Sequence, residues 1–284
     1  MKKLTIFLVI GAFASTLFAQ GEFPDSPYDK PHVSNRKPID LQHIRYADVM
    51  WSKKLERTLP LREKKNHVLY FPDNREGRIG SRFSFTALTI NGVRQGYFQA
   101  YDPMSEGAVP ISEEDFESRL GKETETVEVY NEDDGTYDER VIENEVNPSE
   151  IKFLILREEW IFDKARSTMD PRIMWIKFVR EYQAGDPSDL ASLEIRKSLP
   201  FKIYYPVAEP LYARNEVFNP HTDGDQKTFY DIFMFRFFNS FISMETNTHN
   251  NREVNSYMLG IEQLYEAQDI KNFIFRFEHD LWEF

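Results

Sequence analysis

At 284 residues, of which 41% are hydrophobic, the chain is long enough for one large domain or two modest ones. A formal net charge of −12 argues against a nucleic-acid partner and against direct binding to anionic lipid headgroups. There is no cysteine, which excludes disulfides, thiol catalysis and thiol lipidation, so stability has to come from packing.

Lys2-Lys3, a largely apolar run from Leu4 to Phe18 and then Ala19 supply the basic start, greasy middle and small-residue exit of a secretory signal peptide. The run is short for a membrane-spanning helix. Cleavage after Ala19 would leave Gln20 first, and Ala12-Phe13-Ala14 offers an earlier site after Ala14. Removing residues 1–19 leaves 265 residues and takes the formal charge from −12 to −14. An exported chain without a lipid-bearing cysteine is expected to meet a membrane only indirectly. Residues 20–40 carry Pro24, Pro27, Pro31 and Pro38 among polar residues. They read as an extended Pro-rich arm, either a disordered leader or a segment docked on a neighbour. Residues 41–284 are expected to form one domain, with 41–121 a possible subdomain.

In chain order, Asp48 caps a predicted helix over Val49–Leu59 that Pro60 ends. Ser81 is expected to cap a second helix carrying Phe83, Ala87 and Ile90, with Gly92 and Gly96 at its end. A strand follows from Gly96 to Tyr101, and Ser112-Glu-Glu-Asp opens a turn or two of helix around Phe116. Residues 123–145 read as a β-hairpin, since Thr124–Tyr130 alternates branched or aromatic side chains with charge and Asp133-Asp134-Gly135 supplies a turn. Strands are expected over Ile151–Asp163, Ile173–Tyr182 and Phe201–Val207, separated by Asp170-Pro171, Gly185-Asp-Pro and Pro210. Phe229, Ile232, Phe233, Phe237, Phe241 and Met244 recur at three and four residues, predicting one aromatic-faced helix. A polar loop at 246–251 precedes two short helices over Ser256–Ala267 and Asp269–Trp282. The whole predicts an α+β fold in which an antiparallel sheet from the middle of the chain packs against C-terminal helices.

Catalytic signatures are missing: there is no nucleophile elbow, Walker A loop, HExxH pair or Rossmann glycine fingerprint. The six histidines are scattered, with no pair at i, i+4 to grip zinc. His221-Thr-Asp223-Gly-Asp225 is the nearest approach to a metal site, since Asp223 and Asp225 could present carboxylates around a turn. A metal-binding hydrolase or binding module built on those two residues is the alternative function. Asn131–Gly135 has the flavour of a calcium loop but the wrong spacing. Glu158 and Glu159 are neighbours on a strand and so face opposite sides. Glu278-His279-Asp280 spreads around a helix turn, and Phe284 ends the chain without the alternating segments an outer-membrane barrel needs. With 24 Phe, 14 Tyr and 4 Trp, aromatic surface suffices for both a core and an assembly face. Trp51, Trp160, Trp282 and Phe284 are the candidate partner contacts.

Asp48-Val-Met-Trp-Ser-Lys, Leu61-Arg-Glu-Lys, Asn66-His67, Tyr70-Phe71-Pro72, Lys164-Ala-Arg-Ser-Thr-Met169, Glu216-Val-Phe-Asn219, Thr228-Phe-Tyr-Asp-Ile-Phe233 and Phe277–Phe284 run in one order along the mature chain. That ordered set resembles the GldN/PorN family of the type IX secretion and gliding-motility machinery of Bacteroidetes. The resemblance implies a periplasmic, non-enzymatic building block without a cofactor. It also implies a ring-like assembly with a GldK/PorK-like lipoprotein beneath the outer membrane, in contact with the periplasmic part of GldM/PorM. It assigns no catalytic or binding residue.

Overall fold

The computed structural model describes residues 35–80, 82–122, 124–130, 137–143, 146–184, 194–219, 224 and 227–281. For 124–130 and 137–143 the description is of the backbone. The signal peptide, the arm up to residue 34, the Asp133-Asp134-Gly135 turn, Asp223, Asp225, Trp282 and Phe284 lie outside these residues.

Residues 35–45 run without regular secondary structure into β1 (Val49–Pro60). The short α1 (His67–Tyr70) and a ribbon of β2 (Arg78–Ile79) and β3 (Arg82–Phe83) lead to α2 (Phe85–Arg94), β4 (Ala100–Tyr101) and α3 (Glu113–Arg119). The hairpin β5 (Thr124–Tyr130) and β6 (Tyr137–Glu143) precedes the long strands β7 (Ile151–Asp163) and β8 (Thr168–Ala184), then β9 (Glu194–Ser198) and β10 (Lys202–Tyr204). Helices α4 (Tyr205–Ala213) and α5 (Phe229–Met234), strand β11 (Phe241–Glu245) and helix α6 (Glu262–Asp280) complete the order. The main sheet is antiparallel in the order β11-β1-β7-β8-β10-β4, with β9 on the far end of β8. The α+β expectation holds.

The sheet lays out the core by register. Leu59, Leu154 and Phe178 stand opposite one another across β1, β7 and β8. The next inward row is Arg57, Leu156, Ile176, Ile203 and Ala100. Helices α2, α4 and α5 cover these rows, and Phe85 sits at their centre. Its ring centroid lies 5.9 Å from Phe178, 4.9 Å from Tyr212, 5.6 Å from Phe229 and 5.1 Å from Phe233. A second, smaller core of Leu55, Ile242, Val254, Ala267, Ile270 and Ile274 lies under α6.

Several expectations fail for local reasons. Residues 49–60 are a strand, because Trp51, Leu55 and Leu59 fit a four-residue helical spacing and a two-residue strand spacing equally well. Pairing with β7 and β11 decides, and Lys53 and Arg57 fill inward slots that would otherwise show the alternation. Ser84, not Ser81, caps α2, its Oγ accepting from the Ala87 N–H at 3.2 Å. Gly92 lies inside that helix, where a Cβ would come within 2.8 Å of Leu211 and Phe98; Gly96, at φ +73°, follows the end. Only Ala100–Tyr101 of the expected 96–101 strand is paired.

Further on, β8 starts at Thr168 and runs through Pro171, which stands opposite Trp160. β10 pairs only with residues 175–177 of β8, so on that side Pro171 faces no ladder partner. The expected 201–207 strand is cut to Lys202–Tyr204, and Tyr205 starts a helix that runs through Pro210 and buries Tyr205, Ala208 and Tyr212. The aromatic helix ends at Met234; Arg236 takes φ +55° and the chain re-emerges as β11. The two last helices are one, since Ala267, Ile270 and Ile274 keep a single face inward across the exposed Asp269. The hairpin at 124–143, the Ser112 cap, the 151–163 strand and the 246–251 loop are as expected.

Helix α5 is closed by a capping box. Thr228 Oγ1 accepts from the Asp231 N–H at 3.3 Å, and Asp231 Oδ2 accepts from the Thr228 N–H at 2.9 Å. Thr228 is fully buried, so Thr228→Ala should cost about 1–2 kcal/mol, read as a lower urea midpoint at unchanged slope.

Candidate partner-binding surface

The two cores meet at a buried ion cluster on the inward face of β1 and β7. Glu158, with no exposed surface, accepts from Arg57 Nε at 3.1 Å and from Arg236 Nη2 at 2.8 and 3.0 Å. Trp160 Nε1 donates to the same carboxylate at 3.1 Å. The two guanidinium groups lie against the Trp160 ring, 5.7 and 5.6 Å from its centroid. Burial pulls Arg57 below its ordinary range, opposed by Glu158 and reinforced by Arg236. Two cations share one anion, so the carboxylate holds the cluster together.

Trp51 serves the second core. Its ring centroid lies 4.8 Å from that of Phe277, which fastens α6 to β1. Around the rest of α6, Leu264, Tyr265, Phe273 and Phe275 are exposed, Phe273 on the flank beside β1 with Lys53 Nζ 5.2 Å from its ring centroid, and Leu259 and Ile261 precede the helix in the same state. Beside α6, the corner between α5 and β11 exposes Phe235, Phe237 and Phe241, the first two with centroids 5.8 Å apart. Among the described residues β11 pairs only with β1, so its outer edge carries unpaired main-chain groups. A free sheet edge bordered by exposed aromatic side chains is the arrangement of an assembly surface. Trp51→Ala should loosen α6 without unfolding the main core, seen as faster amide exchange confined to residues 262–280.

A cavity of about 820 Å³ lies on the other side of α5, roofed by residues 38–42 and walled by Arg172, Tyr205, Glu209 and Tyr230. Sequence reasoning misses it, because its walls come from four separated segments. The Arg57–Glu158–Arg236 cluster is missed too, although a strand reading of 49–60 would have set Arg57 inward. Glu158 and Glu159 do face opposite sides, the first buried and the second partly open. Of the four aromatic candidates, Trp51 and Trp160 are half-buried with the contacts given above. Among the described residues no group of three or more His, Asp or Glu side chains is placed to hold a metal, and no helix is long and apolar enough to cross a membrane.

A family model described as gliding motility associated protein GldN matches residues 44–283. The chain belongs to the GldN family. All the motifs that carried the resemblance lie inside the matched span except the final residue, Phe284. Membership makes the chain a component of the gliding-motility and type IX secretion machinery. No curated protein matches the sequence. The surface described above thus belongs to a family of machine components, in which contacts with other proteins are the expected chemistry.

Proposed function

We propose that the chain is a non-catalytic structural subunit of a periplasmic ring of the type IX secretion system, required for protein secretion and gliding. The signal peptide exports it, and residues 41–284 act as one folded unit. With no cysteine for a lipid anchor, attachment to the outer membrane runs through a GldK/PorK-like lipoprotein. The periplasmic part of GldM/PorM supplies the second contact, and copies of the chain associate with one another around the ring.

The observation that carries this reading is the family match across residues 44–283. It is supported by the exposed aromatic side chains of α6 and of the α5–β11 corner, which cost the free subunit solubility and repay it on burial against a partner. On this reading Trp51, Trp160, Trp282 and Phe284 are the candidate partner contacts. Deletion of the gene is expected to trap secreted cargo in the periplasm and abolish gliding. A deletion strain that secretes normally would refute the role.

A further inference from the structure

The 820 Å³ cavity beside α5 has the size and make-up of a small-molecule site, apolar and aromatic walls with a few polar groups set among them. Ile173, Met174, Tyr204, Phe233 and Met234 supply the apolar walls, and residues 38–42 the roof. The roof is pinned at two points: the Ile39 N–H donates to Tyr230 Oη at 3.1 Å, and Arg172 Nη2 donates to the Gln42 carbonyl at 2.6 Å.

Two hydrogen-bond donors among the lining residues lack an acceptor. Tyr205, at the start of α4, is only 4% exposed, and its hydroxyl makes no hydrogen bond among the described residues. Its ring is fixed against Tyr212 and Phe233, at 6.0 and 5.6 Å between centroids. Burial, and after it the nearby Glu209, raises the phenol well above its ordinary range, so it stays a neutral donor. Arg172 Nε is buried and has no acceptor either. Arg166 and Arg236, the other cations lining the cavity, are paired with Asp163, Asp170 and Glu158. Arg172 has no carboxylate partner among the described residues; the one hydrogen bond of its side chain goes to Gln42. Buried donors without acceptors are costly and uncommon, and here both border one cavity. One of the two is cationic, so the missing group is an acceptor that carries negative charge.

We infer that the cavity binds a small carboxylate with an apolar body: Arg172 takes the carboxylate, Tyr205 Oη donates to a second acceptor oxygen of the ligand, and the body lies against the aromatic and methionine walls. The acids nearby do not forbid an anion. Asp170 is paired with Arg166, and Asp40 is exposed on the roof. Burial, opposed by Arg172, pushes the Glu209 carboxyl up to about 7, which leaves it part-protonated at neutral pH. Occupancy of the site is independent of the chain's place in a ring.

N-acetylphenylalanine, with a ring, a carboxylate and an amide carbonyl, is the probe, and N-acetylphenylalaninamide is its uncharged control. Calorimetric titration of the full mature chain should show saturable, one-to-one binding of the acid and roughly tenfold or weaker binding of the amide. Tyr205→Phe should weaken binding of the acid about tenfold. Its Tm should equal or exceed the parent's, because the hydroxyl it removes has no partner in the free chain. Arg172→Gln should weaken the acid at least as much and remove the preference over the amide. No binding of the acid at millimolar concentration, equal affinity for acid and amide, or a Tyr205→Phe chain that binds as the parent does would overturn the inference.

Discussion

Glu158→Gln is expected to lower stability by about 3–5 kcal/mol, the range found when one partner of a buried ion pair is removed. The change keeps the shape and removes the negative charge that both Arg57 and Arg236 bond, leaving two guanidinium groups against the Trp160 ring. Gln can accept from one guanidinium but not neutralise either. For a folded unit of this size the loss corresponds to a fall in Tm of roughly 6–20 °C. Replacing all three members with apolar residues (Arg57→Met, Glu158→Leu and Arg236→Met together) should recover most of it, because desolvation of the charges disappears with them. Thermal unfolding of the single and triple variants separates the two effects. If the single variant melts with the parent, the cluster does not hold the two cores together.

Phe85→Ala should cost a comparable amount, about 3–5 kcal/mol, by a different route. Phe85 is fully buried and is the one ring that touches the sheet through Phe178, α4 through Tyr212 and α5 through Phe229 and Phe233. Truncation opens a cavity bounded by four rigid rings that cannot collapse into it, so both the transfer and the cavity costs apply. Phe85→Leu keeps much of the volume and should cost less. Urea unfolding at equal protein concentration gives both numbers, and equal losses for Ala and Leu would contradict the packing account.

How far the sequence carried the fold depends on what each segment's pattern could distinguish. The long strand 151–163 was legible because branched and aromatic apolar residues crowd its two ends, at 151–156 and 160–162. The hairpin was legible from the alternation over Thr124–Tyr130 and the turn-forming sequence Asp133-Asp134-Gly135 after it. Residues 49–60 were not, because inward Lys53 and Arg57 interrupt the alternation and become acceptable only through Glu245 and Glu158, far along the chain. The stretch 229–244 failed for a related reason. Phenylalanines at three and four residues serve a helix up to Met234 and a strand from Phe241, and the break is set by Arg236, held in a left-handed conformation by its bonds to Glu158. Tertiary ion pairs thus overrode local pattern in both places. The assembly surface was legible only as an excess of aromatic residues. Which of them face outward follows from the sheet register and from the single face that α6 turns inward.

The central claim is that this GldN-family chain works as a subunit bound to other proteins. The most direct measurement is affinity purification of the tagged mature chain from a detergent-solubilised cell envelope, with mass determination of what accompanies it. The account predicts recovery in a complex far heavier than the 33.7 kDa chain, together with an outer-membrane lipoprotein. Recovery as a lone monomer would contradict it.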